Sequence, residues 1–193
     1  MKRRRFLVGA TVVVGAVGAA FTAVPFIASW QPSARARAAG APVEVDIDKL
    51  EPGQQVTVEW RGKPIWVLRR TPTILERLAT LTESGRLRDP LAKVATQQPG
   101  YISGPLRAIK EEYLVVIGIC THLGCVPSFR PEPGSVGDDW PGGYFCPCHG
   151  SKFDFAGRVF KAVPAPTNLE IPPYRFLSES RVEIGTDPEP TSS

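Results

Sequence analysis

The chain starts with a long run of uncharged, mostly apolar residues. Residues 6–30 read FLVGATVVVGAVGAAFTAVPFIASW and contain no charged side chain. As a helix with a rise of about 1.5 Å per residue, this run would span roughly 37 Å, more than the roughly 30 Å hydrocarbon core of a bilayer. We therefore predict one N-terminal transmembrane helix, with residues 1–30 as signal and membrane anchor. A cleaved signal peptide is the alternative, because SARARAAGA offers small residues at a suitable spacing.

After residue 42 the pattern changes to short segments in which apolar and polar residues alternate. VEVDIDKL and QQVTVEWRGKPIWVLRR have period two and many β-branched residues, with turn signals at 52–53 and 61–62. EEYLVVIGI predicts a buried strand that leads into Cys120. Shorter strands are predicted in GGYFCP, SKFDFAGRVF and RVEIG. The pattern indicates a mostly β domain over residues 43–187, with Trp60, Trp66, Tyr113 and Phe155 in its core.

One soluble segment, TILERLATLTESG, has helical periodicity. Its apolar positions 74, 75, 78 and 81 share one face. Thr73 and Glu76 have the spacing of a capping box, and Gly85 stands where a C-terminal cap belongs. We predict one soluble helix in the β domain.

Two segments have no apolar periodicity. Residues 31–42, QPSARARAAGAP, are rich in Ala with Pro near both ends, which is typical of a linker. We predict a flexible hinge there. The end of the chain, within TDPEPTSS, predicts a disordered tail over residues 188–193.

The charge of the chain is unevenly placed. The formal net charge is +4, yet residues 43–193 hold 17 basic and 19 acidic side chains. The excess of cations lies at the N-terminus, which argues against nucleic acid as a partner and favours a cytoplasmic N-terminus beside a membrane helix. RRRFL, with Arg3 and Arg4, fits a twin-arginine export signal, although a plain cluster of basic residues is the alternative. We expect Arg69 and Arg70 on a solvated face.

Two short motifs carry the chemistry, CTHLGC at 120–125 and CPCHGS at 146–151. They contain all 4 cysteines and both histidines of the chain. A structural zinc site is one interpretation, but the spacing is poor for it. Two disulfides without a metal would suit the periplasm but leave both histidines without a role. An iron–sulfur cluster with mixed Cys and His ligands and one disulfide would use all six residues.

Together the motifs resemble those of the Rieske iron–sulfur proteins of cytochrome bc1 complexes. VPAP at 163–166 is similar to the proline loop that covers the cluster in that family. Rieske ferredoxins and oxygenases usually lack the extra cysteine in each loop, so the resemblance is to the quinol-oxidising branch. It implies a Rieske-type antiparallel β domain with a small cluster-binding subdomain at about residues 118–167 and one 2Fe-2S cluster.

The resemblance also implies roles for individual residues. The ligands of the cluster would be Cys120, His122, Cys146 and His149. Cys125 and Cys148 would form the disulfide that joins the two loops, which requires an oxidising compartment.

Further positions correspond to the tuning and docking residues of the family. The hydroxyl of Ser151 would donate a hydrogen bond to a cluster sulfur. Phe153 stands where many members have a Tyr that donates to a ligand cysteine, so one potential-raising hydrogen bond would be missing. The docking residues would be Leu123 and Gly124 at the tip and Pro164 and Pro166 in the proline loop.

The function implied is that of the iron–sulfur subunit of a respiratory quinol–cytochrome c oxidoreductase. His149 would face a quinol bound by cytochrome b, and the head would carry one electron to the membrane-bound cytochrome c by moving on residues 31–42. Proton release into the periplasm, a dimeric complex and the bacterial inner membrane are further expectations. A relay subunit of an exported oxidase, such as arsenite oxidase, and a zinc-stapled binding module are the alternatives.

Overall fold

The computed structural model describes residues 2–189 and divides into two units, separated in sequence between Ala39 and Gly40. The predicted tail lies mostly outside the described residues. The first unit contains helix α1 (Lys2–Ser29), which reaches a mean hydropathy of 2.1 and has no buried residue. The predicted long apolar helix is confirmed, and by length and composition it can cross a membrane.

A short second helix, α2 (Ala34–Ala39), lies inside the segment predicted as a linker. The Ala36 N–H donates to Ser33 Oγ at 3.1 Å, and the Ala-rich sequence favours a helical turn. The linker is therefore not wholly irregular. Movement on residues 31–42 stays a prediction.

The second unit is built from three antiparallel sheets of three strands each. The strands are β1 (Val43–Asp46), β2 (Gln55–Trp60), β3 (Lys63–Arg69), β4 (Tyr113–Ile117), β5 (Ser128–Arg130), β6 (Gly143–Phe145), β7 (Lys152–Phe153), β8 (Tyr174–Ser178) and β9 (Arg181–Ile184). The sheet orders are β1-β9-β8, β2-β3-β4 and β5-β6-β7. The β5-β6-β7 sheet falls within the predicted cluster-binding segment 118–167.

The β2-β3-β4 sheet contributes many residues to the hydrophobic core. A two-residue turn joins β2 to β3, and its residues Arg61 and Gly62 both have positive φ, 52° and 71°, as a tight hairpin requires. Every residue of β4 is buried. The aromatic residues predicted for the core, Trp60, Trp66, Tyr113 and Phe155, are all buried.

The soluble helix α3 (Pro72–Glu83) begins two residues earlier than predicted. Thr71 is the N-cap, and its side chain accepts a hydrogen bond from the Ile74 N–H at 3.2 Å. The predicted capping box of Thr73 and Glu76 is therefore wrong, because Pro72 is suited to the first helical position and places the cap before it. The apolar face is confirmed, with positions 74, 78 and 81 buried. Gly85, at φ 69°, follows the C-cap as predicted.

The strand predicted in SKFDFAGRVF is only two residues long. Asp154 Oδ1 accepts hydrogen bonds from the Ala156 N–H at 2.8 Å and the Arg158 N–H at 2.9 Å, and this turn ends β7. Arg158 forms a fully buried ion pair with Asp154 at 2.7 Å. Arg158 also donates to the Leu78 carbonyl at 3.0 Å, which ties the turn to α3.

The expectation of a solvated Arg69–Arg70 pair is wrong for Arg70. Arg69 is half-buried and pairs with Glu112 at 2.5 Å. Arg70 is only 2% exposed and donates to the Leu106 carbonyl at 2.9 Å. Burial lowers the pKa of Arg70 to about 10. The adjacent arginines therefore have different environments, and Arg70 is a structural residue.

Candidate metal centre

The first Cys/His loop, residues 120–125, is a tight turn closed by two backbone hydrogen bonds. The Cys120 N–H donates to the Cys125 carbonyl at 2.7 Å, and the Gly124 N–H donates to the Cys120 carbonyl at 3.0 Å. Gly124 has φ 83°, a conformation in which a side chain would be strained. The loop therefore requires glycine at its fifth position.

The second loop, residues 146–151, repeats this backbone. The Cys146 N–H donates to the Ser151 carbonyl at 2.8 Å, and the Gly150 N–H donates to the Cys146 carbonyl at 2.9 Å. Gly150 has φ 79°, close to the value at the fifth position of the first loop. The two loops are thus the same turn used twice, with the histidine third in one and fourth in the other.

A disulfide joins Cys125 to Cys148 and links the two loops. The predicted pairing is confirmed. Cys120 and Cys146 remain free thiols, so the interpretation with two disulfides is wrong. Cys125 is half-buried, whereas Cys148 is exposed.

The two free thiols lie together in the interior, each 2% exposed. Burial raises the pKa of Cys120. The His122 backbone N–H lowers the same pKa, the neighbouring Cys146 thiol raises it and the Ser151 hydroxyl lowers it. A bound cation would reverse the unfavourable effect of burial and hold both sulfurs as thiolates. The pair is therefore suited to a metal group.

The two imidazole rings also lie together. The ring centroids of His122 and His149 are 4.8 Å apart, with the ring planes at 89°. Within residues 2–189, the buried Nδ1 of His122 has no hydrogen-bond partner. A buried nitrogen of this kind is costly unless it is bound by something else, such as a metal ion. Two thiols and two imidazoles thus fit a metal group with mixed ligands.

The proline segment, residues 163–167, is tied to both loops. The Ala165 N–H donates to Ser151 Oγ at 3.0 Å, which leaves the hydroxyl proton of Ser151 free to donate elsewhere. Thr121 Oγ1 donates to the Thr167 carbonyl at 2.7 Å. Thr121 was not predicted as a site residue, although it lies within the first motif. The predicted residues of this segment, Pro164 and Pro166, are both exposed.

Apolar side chains are exposed in the first Cys/His loop and directly after it. Leu123 is 71% exposed and Val126 is 52% exposed. Gly124 and His149 are also exposed, whereas His122 is half-buried. Exposed apolar side chains grouped in this way are typical of an interaction site. The predicted tip is exposed, and Val126 adds a residue that the sequence analysis did not identify.

Close packing beneath the loops fixes their position. Trp66 stacks on Tyr144, with ring centroids 4.6 Å apart and planes at 11°. Gly118, two residues before the first loop, lies so close that an added Cβ would overlap the Trp66 indole. Phe153 is fully buried and pairs with Tyr144 across β6 and β7. Its place in the core is clear, and its role in tuning stays a prediction.

Comparison with protein families identifies the chain. One family model, described as "Ubiquitinol-cytochrome C reductase Fe-S subunit TAT signal", matches residues 1–33, and the model of the Rieske [2Fe-2S] domain matches residues 42–174. The chain belongs to the Rieske iron–sulfur protein family. The resemblance seen in the sequence, the antiparallel β fold and the 2Fe-2S cofactor are thereby confirmed.

Similar proteins of known name indicate which kind of Rieske protein this is. It is 60% identical to a ubiquinol-cytochrome c reductase iron-sulfur subunit of Allochromatium vinosum, over 96% of this chain and 89% of the relative. It is 46% identical to the subunit of the same name from Blastochloris viridis, over 95% and 92%. A solved chain of a "Hyperthermophilic respiratory Complex III" is 26% identical, with a TM-score of 0.48, over 91% of this chain and 96% of that one.

The identities to the subunits of Allochromatium vinosum and Blastochloris viridis show which family of subunits the protein belongs to. It is the Rieske subunit of a ubiquinol–cytochrome c reductase, an oxidoreductase complex of the cytochrome bc1 type. The long apolar helix and the matching signal family indicate a membrane-anchored protein. The match to a Rieske [2Fe-2S] domain contradicts the alternative of a zinc-stapled binding module.

Proposed function

We propose that Cys120 and Cys146 bind one iron of the 2Fe-2S cluster and that His122 and His149 bind the other. Two buried free thiols support this ligand set, as does the Nδ1 of His122, which has no hydrogen-bond partner among the described residues. When bound, the cluster supplies a one-electron acceptor whose potential is raised because two neutral imidazoles replace two thiolates. The disulfide and the proline segment would hold the two loops together around this site.

His149 is the residue that would contact quinol. Its imidazole is exposed, whereas that of His122 is half-buried. The imidazole nitrogen of His149 that does not bind iron would accept a hydrogen bond from a quinol hydroxyl and take up its proton as the quinol is oxidised, a role suited to an imidazole. Leu123 and Val126 would dock beside it and exclude water from the contact.

The rest of the cycle requires partner subunits. The head would take one electron at the quinol-oxidation site of cytochrome b and carry it to the membrane-bound cytochrome c, moving on residues 31–42. The protons of quinol would be released into the periplasm. The basic N-terminus supports a cytoplasmic start, and the disulfide supports a periplasmic head in a bacterial inner membrane. The complex would be dimeric, since two-fold dimers are the commonest closed assemblies.

The single observation that carries the proposal is the pair of adjacent imidazoles in the same two loops as the two buried thiols. The test is purification from membranes in mild detergent, followed by visible and EPR spectroscopy. We expect the chain to co-purify with b- and c-type haems and to show an EPR signal on reduction. Co-purification with a molybdenum subunit, or a colourless and EPR-silent protein, would contradict the proposal.

A further inference from the structure

Three sulfur atoms lie close together beside the second loop. The sulfurs of Cys125, Cys146 and Cys148 are all within 4.8 Å of one another. Two of them share the disulfide, and the third belongs to a free, buried thiol. They do not form a metal site, because a disulfide sulfur is not a thiolate ligand. The arrangement instead places a nucleophile beside a disulfide.

We propose that, when no cluster is bound, Cys146 attacks this disulfide and converts the Cys125–Cys148 bond into a Cys125–Cys146 bond. The Cys146 thiol loses its proton and its sulfur attacks Cys125 Sγ. The new S–S bond forms as the old one breaks, and the Cys148 thiolate leaves and takes up a proton. One disulfide is present before and after, so the step needs no oxidant or reductant.

The surroundings favour attack at Cys125 over attack at Cys148. Attack at Cys125 releases Cys148, which is exposed, so that water can solvate the leaving thiolate. Attack at Cys148 would release the half-buried Cys125. It would also close a small ring over Pro147, whose φ is fixed. A Cys125–Cys146 bond, by contrast, still joins the two loops.

The cluster would prevent this reaction. The inference rests on the proposed function only here, in that Cys146 is taken as an iron ligand. A sulfur bound to iron is not free to attack, so the Cys125–Cys148 pairing persists while the site is loaded. Cluster insertion before the chain meets an oxidising compartment would then determine which cysteines pair. A chain oxidised without its cluster would lose the Cys146 thiolate that iron requires.

Two variants of the full-length protein test the exchange, because each removes one proposed ligand and only one removes the nucleophile. Cys120→Ser and Cys146→Ser are purified in mild detergent without reductant and quenched in acid. Free thiols are then alkylated under denaturing conditions and located by mass spectrometry, with fragmentation between Cys146 and Pro147. In Cys120→Ser we expect the label on Cys148 and a disulfide between Cys125 and Cys146. In Cys146→Ser we expect the label on Cys120 and the original disulfide.

The wild-type chain provides a test that does not depend on how a variant folds. Loaded protein should show the Cys125–Cys148 disulfide, and removal of iron by a chelator should move the label from Cys146 to Cys148. A labelled Cys146 beside an intact Cys125–Cys148 disulfide, in stripped wild type or in Cys120→Ser, would overturn the inference. Loss of the original pairing in Cys146→Ser would overturn the role of Cys146. The haem and EPR tests of the proposed function are separate, so either can fail alone.

Discussion

The imidazole of His122 lies edge to face against that of His149, with ring centroids 4.8 Å apart, although the two residues stand at different positions in matching loops. The backbones of the loops repeat, and the histidine is displaced by one residue between them. Despite this displacement, the two rings lie against each other. The first residue of each loop, Cys120 or Cys146, places its thiol in the interior. His149 is exposed and His122 is half-buried, so the two imidazoles are not equivalent.

The four cysteines should separate into two classes on substitution. Cys120→Ser or Cys146→Ser should abolish the cluster, because each removes a ligand thiolate. Cys125→Ser or Cys148→Ser should leave a cluster but lower the melting temperature, since a disulfide that spans 23 residues contributes about 3 kcal/mol. Visible spectra and thermal melts would measure both effects. Loss of iron from all four variants in the same way, in a folded domain, would contradict the assignment.

Gly118 should not tolerate a side chain. In Gly118→Ala the new Cβ would overlap the Trp66 indole, and overpacking of this kind costs about 1–3 kcal/mol. Gly100→Ala is the matched control, because a Cβ there meets no atom within 4 Å. Thermal melts of the loaded proteins should show a lower melting temperature for Gly118→Ala and little change for Gly100→Ala. Equal melting temperatures would mean that the indole moves aside freely.

The buried pair of Asp154 and Arg158 should be important for stability. Arg158→Met leaves the Asp154 charge buried without its partner, which costs about 3–5 kcal/mol. Arg181→Met breaks an ion pair with Glu44 whose side chains are 57% and 55% exposed, and it should cost less than about 1 kcal/mol. Denaturant unfolding would compare the two. A similar small loss in both variants would show that the buried pair contributes no more than a surface pair.

Ser151 and Phe153 should tune the reduction potential in opposite directions. Ser151→Ala removes a hydroxyl beside the Cys120 sulfur and should lower the midpoint. Phe153→Tyr should raise it if the ring faces that sulfur. A shift of about 59 mV is a tenfold change for a one-electron couple, and we expect some tens of millivolts. Voltammetry of the loaded protein measures both variants. An unchanged or lower midpoint in Phe153→Tyr would leave Phe153 as a core residue only.

Much of the site could be predicted from the sequence because the chemistry is local. The spacing of Cys and His within each six-residue motif is preserved in the folded loops, and the disulfide pairing follows the resemblance. The alternating pattern likewise predicted the β2–β3 hairpin and the buried strand before Cys120. In these cases the residues that determine the structure are neighbours along the chain.

The errors arose where distant residues decide the outcome. Arg70 is buried because the carbonyl of Leu106, far away in sequence, accepts its hydrogen bond. No local pattern indicates this contact. The turn at Asp154, by contrast, is held by the nearby N–H groups of Ala156 and Arg158, although Arg158 also donates to the distant Leu78 carbonyl of α3. The cap of α3 is different, since Pro72 was a local signal for Thr71 that outweighed the capping-box spacing.

The most direct test of the account is the number of histidine nitrogens bound to the cluster. The chain has only 2 histidines, His122 and His149, so ¹⁵N-histidine labelling of untagged protein marks the two proposed ligands alone. Pulsed EPR of the reduced protein should show two strongly coupled ¹⁵N nuclei, and each His→Cys variant should lose one of them if a cluster still forms. One coupled nitrogen, or none, in the loaded wild-type protein would contradict the mixed Cys and His ligand set.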